Sequence, residues 1–301
     1  MAAPEYPSAP GSWKNLGSAY WFLFPPTRPD TPLLDGAYHP LEGAFSATKT
    51  GQFKGGLGSV QVVRYTDTPV GPYDELIYIP GEFDNPVNGM SGLRITRIYV
   101  STEASIYNGQ SYLTGVVAVA VADDDDGLSA GRRNWNVPKH LARFEFTSSP
   151  TGTLDIRVFS PSVSTSAPFF SATVQPVRFV PSFPLSTSYM PSTPLIQPPL
   201  PEASAFPSSL LEEGEEAAAL IGTDNWWSID PVIKGKVRLI WVQPNLAPRA
   251  GGGKSVKVLG DGEGFPSVQP WTIGLEWLDG MDLLFPEGEK VTAGKAEKKK
   301  A

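Results

Sequence analysis

The residues with the most chemical promise stand together in one stretch, Gly131-Arg132-Arg133-Asn134-Trp135-Asn136-Val137-Pro138-Lys139-His140-Leu141-Ala142-Arg143-Phe144. Lys139 follows a proline directly and leads an alternating run, with Trp135, Val137, Leu141 and Phe144 around it. A lysine in such company has two fates. Either its stem lies on apolar surface while its head stays wet, or the head turns inward, where burial disfavours the ammonium and lowers the pKa. A neutral amine attacks carbonyl carbons and forms Schiff bases.

Other chemistries fall away on residue types. There is no cysteine, which removes disulfides, thiolate zinc sites, iron–sulfur clusters and cysteine nucleophiles together. Only two histidines occur, His39 and His140. A multi-histidine metal centre is therefore not expected, and a Ser-His-Asp triad would lack its Gly-x-Ser-x-Gly elbow. Asp123 to Asp126 lacks the alternate ligand spacing of a calcium loop and reads as solvated. Gly55-Gly56-Leu57-Gly58 precedes a strand instead of following one, so it reads as a turn, not a phosphate loop. Glu212, Glu213, Glu215 and Glu216 read as a solvated helix face, and His39, beside Pro40, as a turn residue. Neither group is given a role. Trp226 and Trp227 suit a core more than a pocket. No metal and no cofactor is expected.

The lysine stretch resembles the signature of the acetoacetate decarboxylase family, in which Gly-Arg-Glu is followed after four residues by Pro-Lys-Lys. Here Gly131-Arg132-Arg133, Asn134 to Val137 and Pro138-Lys139-His140 align with it without a gap. Upstream, Gly71-Pro72-Tyr73-Asp74-Glu75 resembles the family's Gly-x-Tyr-x-Glu stretch, whose glutamate lines the active site. The resemblance implies that Lys139 forms the imine and that Glu75 is an acidic pocket residue; these two are the expected catalytic residues. Arg132, Tyr73, Trp135 and His140 are the expected substrate-binding residues. Departures from the pattern are His140 in place of a second lysine, Arg133 in place of a glutamate, and Val60 or Gln61 where a further glutamate would fall. The expected reaction is lysis of a β-keto acid or related small carbonyl compound through Lys139. An aldolase or dehydratase using the same lysine, and a non-catalytic barrel that binds small apolar molecules, remain as alternatives.

Stepping from the lysine to what must hold it, the 301 residues carry 31 prolines and 30 glycines, too many for long helices. Period-2 alternation recurs at Ser59–Tyr65, Glu75–Ile79, Arg94–Val100, Ala142–Thr147, Leu154–Phe159, Val232–Val242, Ser255–Leu259 and Trp271–Leu278. Turn residues such as Pro80-Gly81 and Asn88-Gly89 separate them. The expectation is a mainly β fold, an antiparallel barrel or cone-like sheet with one or two short helices, in one domain over residues 1–289. Residues 110–130 read as an insertion, 181–209 as a proline-rich extended segment packed on the domain, and Leu210 to Ile221 as a short helix. Residues 290–301 read as a disordered basic tail. Net charge is −7, and the tail concentrates five of the lysines, so the remainder is more acidic still. An acidic body repels phosphate backbones, which argues against nucleic acid. The longest apolar run, Tyr112 to Ala122, is too short to span a bilayer. A cytoplasmic, self-associating protein is the resulting expectation.

Overall fold

The computed structural model describes residues 9, 11–110, 135–162, 167–212, 215, 220, 222–248 and 256–293. The 110–130 insertion apart from residue 110, Arg132, Arg133, the four aspartates and the tail from residue 294 lie outside them. Strands dominate: β1 (Trp13–Thr27), β2 (Phe53–Asp67), β3 (Tyr73–Ile79), β4 (Glu82–Asp84), β5 (Ser91–Leu93), β6 (Arg97–Val100), β7 (Lys139–Leu141) and β8 (Arg143–Ser148) in the first half. The second half adds β9 (Leu154–Phe159), β10 (Phe170–Pro176), β11 (Phe183–Ser186), β12 (Leu195–Gln197), β13 (Trp227–Ile229), β14 (Val232–Pro244), β15 (Ile273–Phe285) and β16 (Glu289–Lys290). Two short α-helices, α1 (Pro40–Ala44) and α2 (Glu103–Gln110), complete the α content.

Pairing runs β6-β3-β2-β1-β15-β14-β10-β9-β8. At its far end β8 is separated from β7 by Ala142 alone, and β7 pairs back onto β6. One bent chain segment, β7 to β8, thus joins the two ends of the path. The layout is mainly β, as the composition requires. It is not wholly antiparallel, because β7 runs parallel to β6 and β12 parallel to β5.

The longest strands follow the alternation of their side chains. In β2, Val60 and Val62 feed one core and Val63 and Tyr65 a second. The pairing of β1 slips beside Gly17, with the extra residues in its partners β2 and β15. A Cβ there would lie 2.2 Å from the Arg64 carbonyl oxygen, so only glycine fits. β1 itself is not marked by alternation in the sequence, since Gly17 and the Pro25-Pro26 pair interrupt its pattern.

Two further expectations change. Ser255–Leu259 makes no strand within its described residues; Val258 contributes only an isolated bridge to Leu246. Leu210 closes a single 3-10 turn, Ser208–Leu210, and Leu211, Glu212 and Glu215 are not helical. The carboxylates of Glu212 and Glu215 instead reach buried histidines, a tertiary demand that overrides helix propensity. In the proline-rich segment, β11 pairs with β14, β12 pairs with β13, and Leu195, Ile196 and Leu200 are buried. Among the described residues no helix is long and apolar enough to cross a membrane.

Candidate active site

Lys139 opens β7, and the turn before it is tightly anchored. Asn136 takes a left-handed conformation, φ 52°, which asparagine tolerates better than most residues. Its buried side-chain amide donates to the carbonyls of Pro198 (3.0 Å) and Asn225 (2.6 Å). Pro138 then restricts the chain, and the Lys139 N–H donates to the Val137 carbonyl at 2.9 Å. In register, Lys139 sits beside Ile98 of β6, which sits beside Ile77 of β3. The lysine therefore shares the sheet face that carries Tyr73, Glu75 and Ile77, because side chains two apart on a strand point the same way.

That face encloses the amine. Lys139 is 5% exposed and Glu75 4%, and Lys139 Nζ lies 2.9 Å from Glu75 Oε1. The ammonium also donates to Ser105 Oγ of α2 at 2.9 Å and to the Tyr73 hydroxyl at 3.4 Å. The Tyr65 hydroxyl donates to the other glutamate oxygen, Oε2, at 3.0 Å. Tyr65 and Tyr73 pack with ring centroids 4.6 Å apart. Trp135 closes one side, its ring edge-on to Trp13 at 5.0 Å and to Phe285 at 5.2 Å, and its indole N–H donates to the Pro286 carbonyl at 2.8 Å. A hollow of about 20 Å³ remains beside the amine, room for about one water. Asn15, buried on its wall, holds a side-chain oxygen with no hydrogen-bond partner among the described residues.

The pKa of the amine is raised, not lowered, which corrects the sequence expectation. Burial does pull the ammonium toward deprotonation, but the Glu75 carboxylate, with Tyr73, more than offsets it and leaves the pKa above 10.5. Lysine reactivity inferred from apolar neighbours alone overlooks the acid that shares the hollow. Burial also pushes the Tyr73 hydroxyl up to about 12.

Of the expected substrate-binding residues, Tyr73 and Trp135 line the hollow. Arg132 lies outside the described residues. His140 does not face the hollow: as the next residue along β7 it points to the opposite face, fully buried near Tyr99 and stacked on His39 with ring centroids 3.4 Å apart. Trp226 and Trp227 do not line the hollow either; Trp226 lies against the Arg94 guanidinium at 5.0 Å. Val60 is buried in the other core. Residues that the sequence analysis did not single out are Tyr65, Ser105 and Asn15. For Tyr65 the signal was present, since β2 and β3 pair Tyr65 with Tyr73 directly.

The opposite face of β7 holds a second ionisable cluster, in which His140 meets glutamates that were read as solvated. His140 Nε2 lies 2.9 Å from Glu42 Oε2, and His140 Nδ1 lies 3.1 Å from Glu215 Oε2. His39 Nε2 lies 3.3 Å from Glu212 Oε1. Burial opposes the charged form of His140, but Glu42 and Glu215 outweigh it and lift the pKa to about 10. Burial and the His140 charge hold His39 well below 6.5. The two histidines, read in the sequence as a turn residue and a substrate-binding residue, thus meet in one buried cluster.

Neither a family model nor any curated protein matches the chain. Several solved structures are similar to it, three of which follow. The acetoacetate decarboxylase of Legionella pneumophila subsp. pneumophila str. Philadelphia 1 is 13% identical, with 98% of this chain and 94% of that chain covered at a TM-score of 0.49. The enduracididine biosynthesis enzyme MppR, with HEPES buffer bound, is 13% identical, with 94% and 89% covered and a TM-score of 0.47. An acetoacetate decarboxylase-like enzyme from Sphingomonas wittichii RW1 is 10% identical, with 94% and 92% covered and a TM-score of 0.46. At this level the site's chemistry has to come from its own residues.

Proposed function

We propose that the protein is a lyase of the decarboxylase type, acting on a small β-keto acid or related carbonyl compound through a Schiff base on Lys139. The observation that carries this reading is the buried amine held 2.9 Å from the Glu75 carboxylate beside a mostly apolar hollow. A buried ammonium paired with one carboxylate has a short route to the free amine: its proton moves to Glu75 as the carbonyl approaches, and neither group is left charged in a dry site. The amine lone pair then bonds to the carbonyl carbon, and the oxygen takes up the proton that the nitrogen sheds, giving a neutral carbinolamine. Glu75, now protonated, returns its proton to that hydroxyl, which leaves as water and gives the iminium.

The iminium draws the electron pair of the adjacent carbon–carboxylate bond as carbon dioxide leaves. The enamine carbon takes a proton, and water hydrolyses the resulting imine to return Lys139. Tyr65 holds Glu75 in place, while Ser105 and Tyr73 hold the amine. The unpartnered Asn15 oxygen is placed to accept from the hydroxyl of the tetrahedral intermediate. A hollow of about 20 Å³ limits the substrate to a small molecule that displaces wall side chains on entry.

The test is reductive trapping. Incubation with acetoacetate, pyruvate and other oxo acids, followed by borohydride, gives a mass increase mapped to Lys139. Lack of any adduct across the panel, together with tryptophan quenching by apolar ligands, would replace this reading with that of a binding barrel.

A further inference from the structure

We propose that the loop joining β10 to β11, residues 178–182, docks on an anionic lipid bilayer, with Phe183 and Trp241 beside it. This surface is separate from the Lys139 hollow and does not depend on the reading of that lysine.

The sheet's register forces the loop outward. The Val177 N–H donates to the Leu239 carbonyl at 2.9 Å, and Phe183 stands opposite Val237. Between those points the five residues 178–182 face Arg238 alone, so the surplus leaves the sheet, and all five are exposed. At the tip Phe179 is 102% exposed, and its φ of 65° is left-handed, a backbone well that is costly for a bulky side chain. A phenylalanine that is both fully in water and strained gains nothing from the described chain, and such a combination marks a surface meant for something else. Val180, Phe183 and Trp241 are exposed as well, at 39%, 40% and 50%. Trp241 lies four residues from Val237 along β14 and therefore shares a sheet face with Phe183.

Charge and shape select the partner. The chain is acidic, with 31 Asp and Glu against 24 Lys and Arg, yet residues 156–201 contain no Asp or Glu. Arg178 opens the loop, and Lys236 stands opposite Pro184; both are exposed, with no carboxylate partner among the described residues. The carboxylates that β15 sets opposite this part of β14, Glu276 and Asp282, are taken by Arg238 and Lys234. A negative partner is therefore favoured. A protein partner has to cover about 800 Å² per side and to offer a pocket cut to a projecting tip. A bilayer needs neither, because acyl chains close around Phe179 and Val180 while Trp241 suits the headgroup level. Arg178 and Lys236 then meet anionic headgroups. Pro181 and Pro184 restrict the loop beforehand, so less conformational freedom is lost on docking.

The experiment is co-sedimentation of the full chain with vesicles of phosphatidylcholine alone and of phosphatidylcholine mixed with phosphatidylserine. The expected result is binding to the mixed vesicles that weakens as salt rises, with much less binding to the neutral ones. Phe179→Gly should weaken binding by about 10-fold or more. Glycine takes positive φ freely, so the same variant should keep the wild-type Tm or exceed it. Arg178→Ala should weaken binding by about 5-fold and flatten the salt dependence. Should Phe179→Gly lower Tm, Phe183→Ser serves in its place. Failure of the wild-type protein to sediment with the mixed vesicles at low salt would overturn the proposal. Equal binding to both vesicle types, or undiminished binding in the folded variant, would do the same. Sedimentation without lipid supplies the remaining check: a wild-type dimer that Phe179→Gly converts to a monomer would assign the loop to a second copy of this chain and remove the bilayer.

Discussion

Lys139 and His140 are neighbours in sequence, yet they enter opposite faces of one short strand and meet opposite solutions to the same problem. On the lysine face a single ammonium meets a single carboxylate, with hydroxyls from Tyr65, Tyr73 and Ser105 completing the hydrogen bonds. The pair is balanced, and an apolar hollow adjoins it. On the histidine face two stacked imidazoles are wedged among three carboxylates. In the proposed reaction the lysine face lets a proton change hands in front of a guest molecule. The other face buries His140 between Glu42 and Glu215 and so ties β7 to α1.

The contrast can be broken most sharply at Lys139 itself. Lys139→Ala should abolish the borohydride-trapped adduct entirely, whereas His140→Gln should still form one at Lys139, as intact mass and peptide mapping would show. Loss of the adduct in a folded His140→Gln would mean that the two faces are not separate. Next in size, Glu75→Gln removes the proton acceptor and should lower turnover by about 10²–10⁴-fold, measured as steady-state decarboxylation of whichever oxo acid labels the protein.

Glu215→Ala tests the histidine face by stability. It leaves a buried His140 charge without one of its two partners, and it should cost about 3–5 kcal/mol by denaturant unfolding. Tyr65→Phe keeps the ring and removes only its hydrogen bond to Glu75, so a smaller loss of about 1.5–3 kcal/mol is expected. At the low end, the exposed pair of Lys234 and Asp282, 3.0 Å apart, marks the scale for a solvated bridge. Lys234→Ala should change stability by no more than about 1 kcal/mol. A Glu215→Ala effect no larger than that of Lys234→Ala would show that the histidine face is as wet as the surface.

Much of this was open to reading from the residues, and the failures have a common cause. Leu154–Phe159 is a strand with the bounds its alternation indicates, and Ser59–Tyr65 and Glu75–Ile79 lie inside β2 and β3. These are local patterns, and half-buried strands express them locally. Lys139 was singled out by its apolar neighbours and a family resemblance, Glu75 by the resemblance alone, and they lie side by side. Neither signal conveyed how the amine titrates, which depends on how near the carboxylate comes. His39 looked like a turn residue because it does cap α1; its second contact, to Glu212, is made far along the chain. Glu212 and Glu215 looked solvated because their partners come from other elements. β1 was missed because Gly17 and the Pro25-Pro26 pair interrupt its alternation. Tertiary partners, not propensities, decided each of these cases.

The account rests on Lys139 being a buried ammonium that Glu75 holds in readiness, and titration of its side-chain nitrogen by ¹⁵N NMR tests this directly. In the wild type the carboxylate raises the pKa above 10.5. The stabilisation from the pair is thus fully present below pH 10.5, the ordinary lysine value, and lost as pH rises through the raised one. In Glu75→Gln burial acts without that carboxylate, and the pKa should fall below 10.5. Agreement would be a wild-type nitrogen that stays protonated beyond pH 10.5 and a variant nitrogen that gives up its proton earlier. A nitrogen that titrates at the ordinary value in both proteins would contradict the account, because the amine would then be in water rather than beside Glu75.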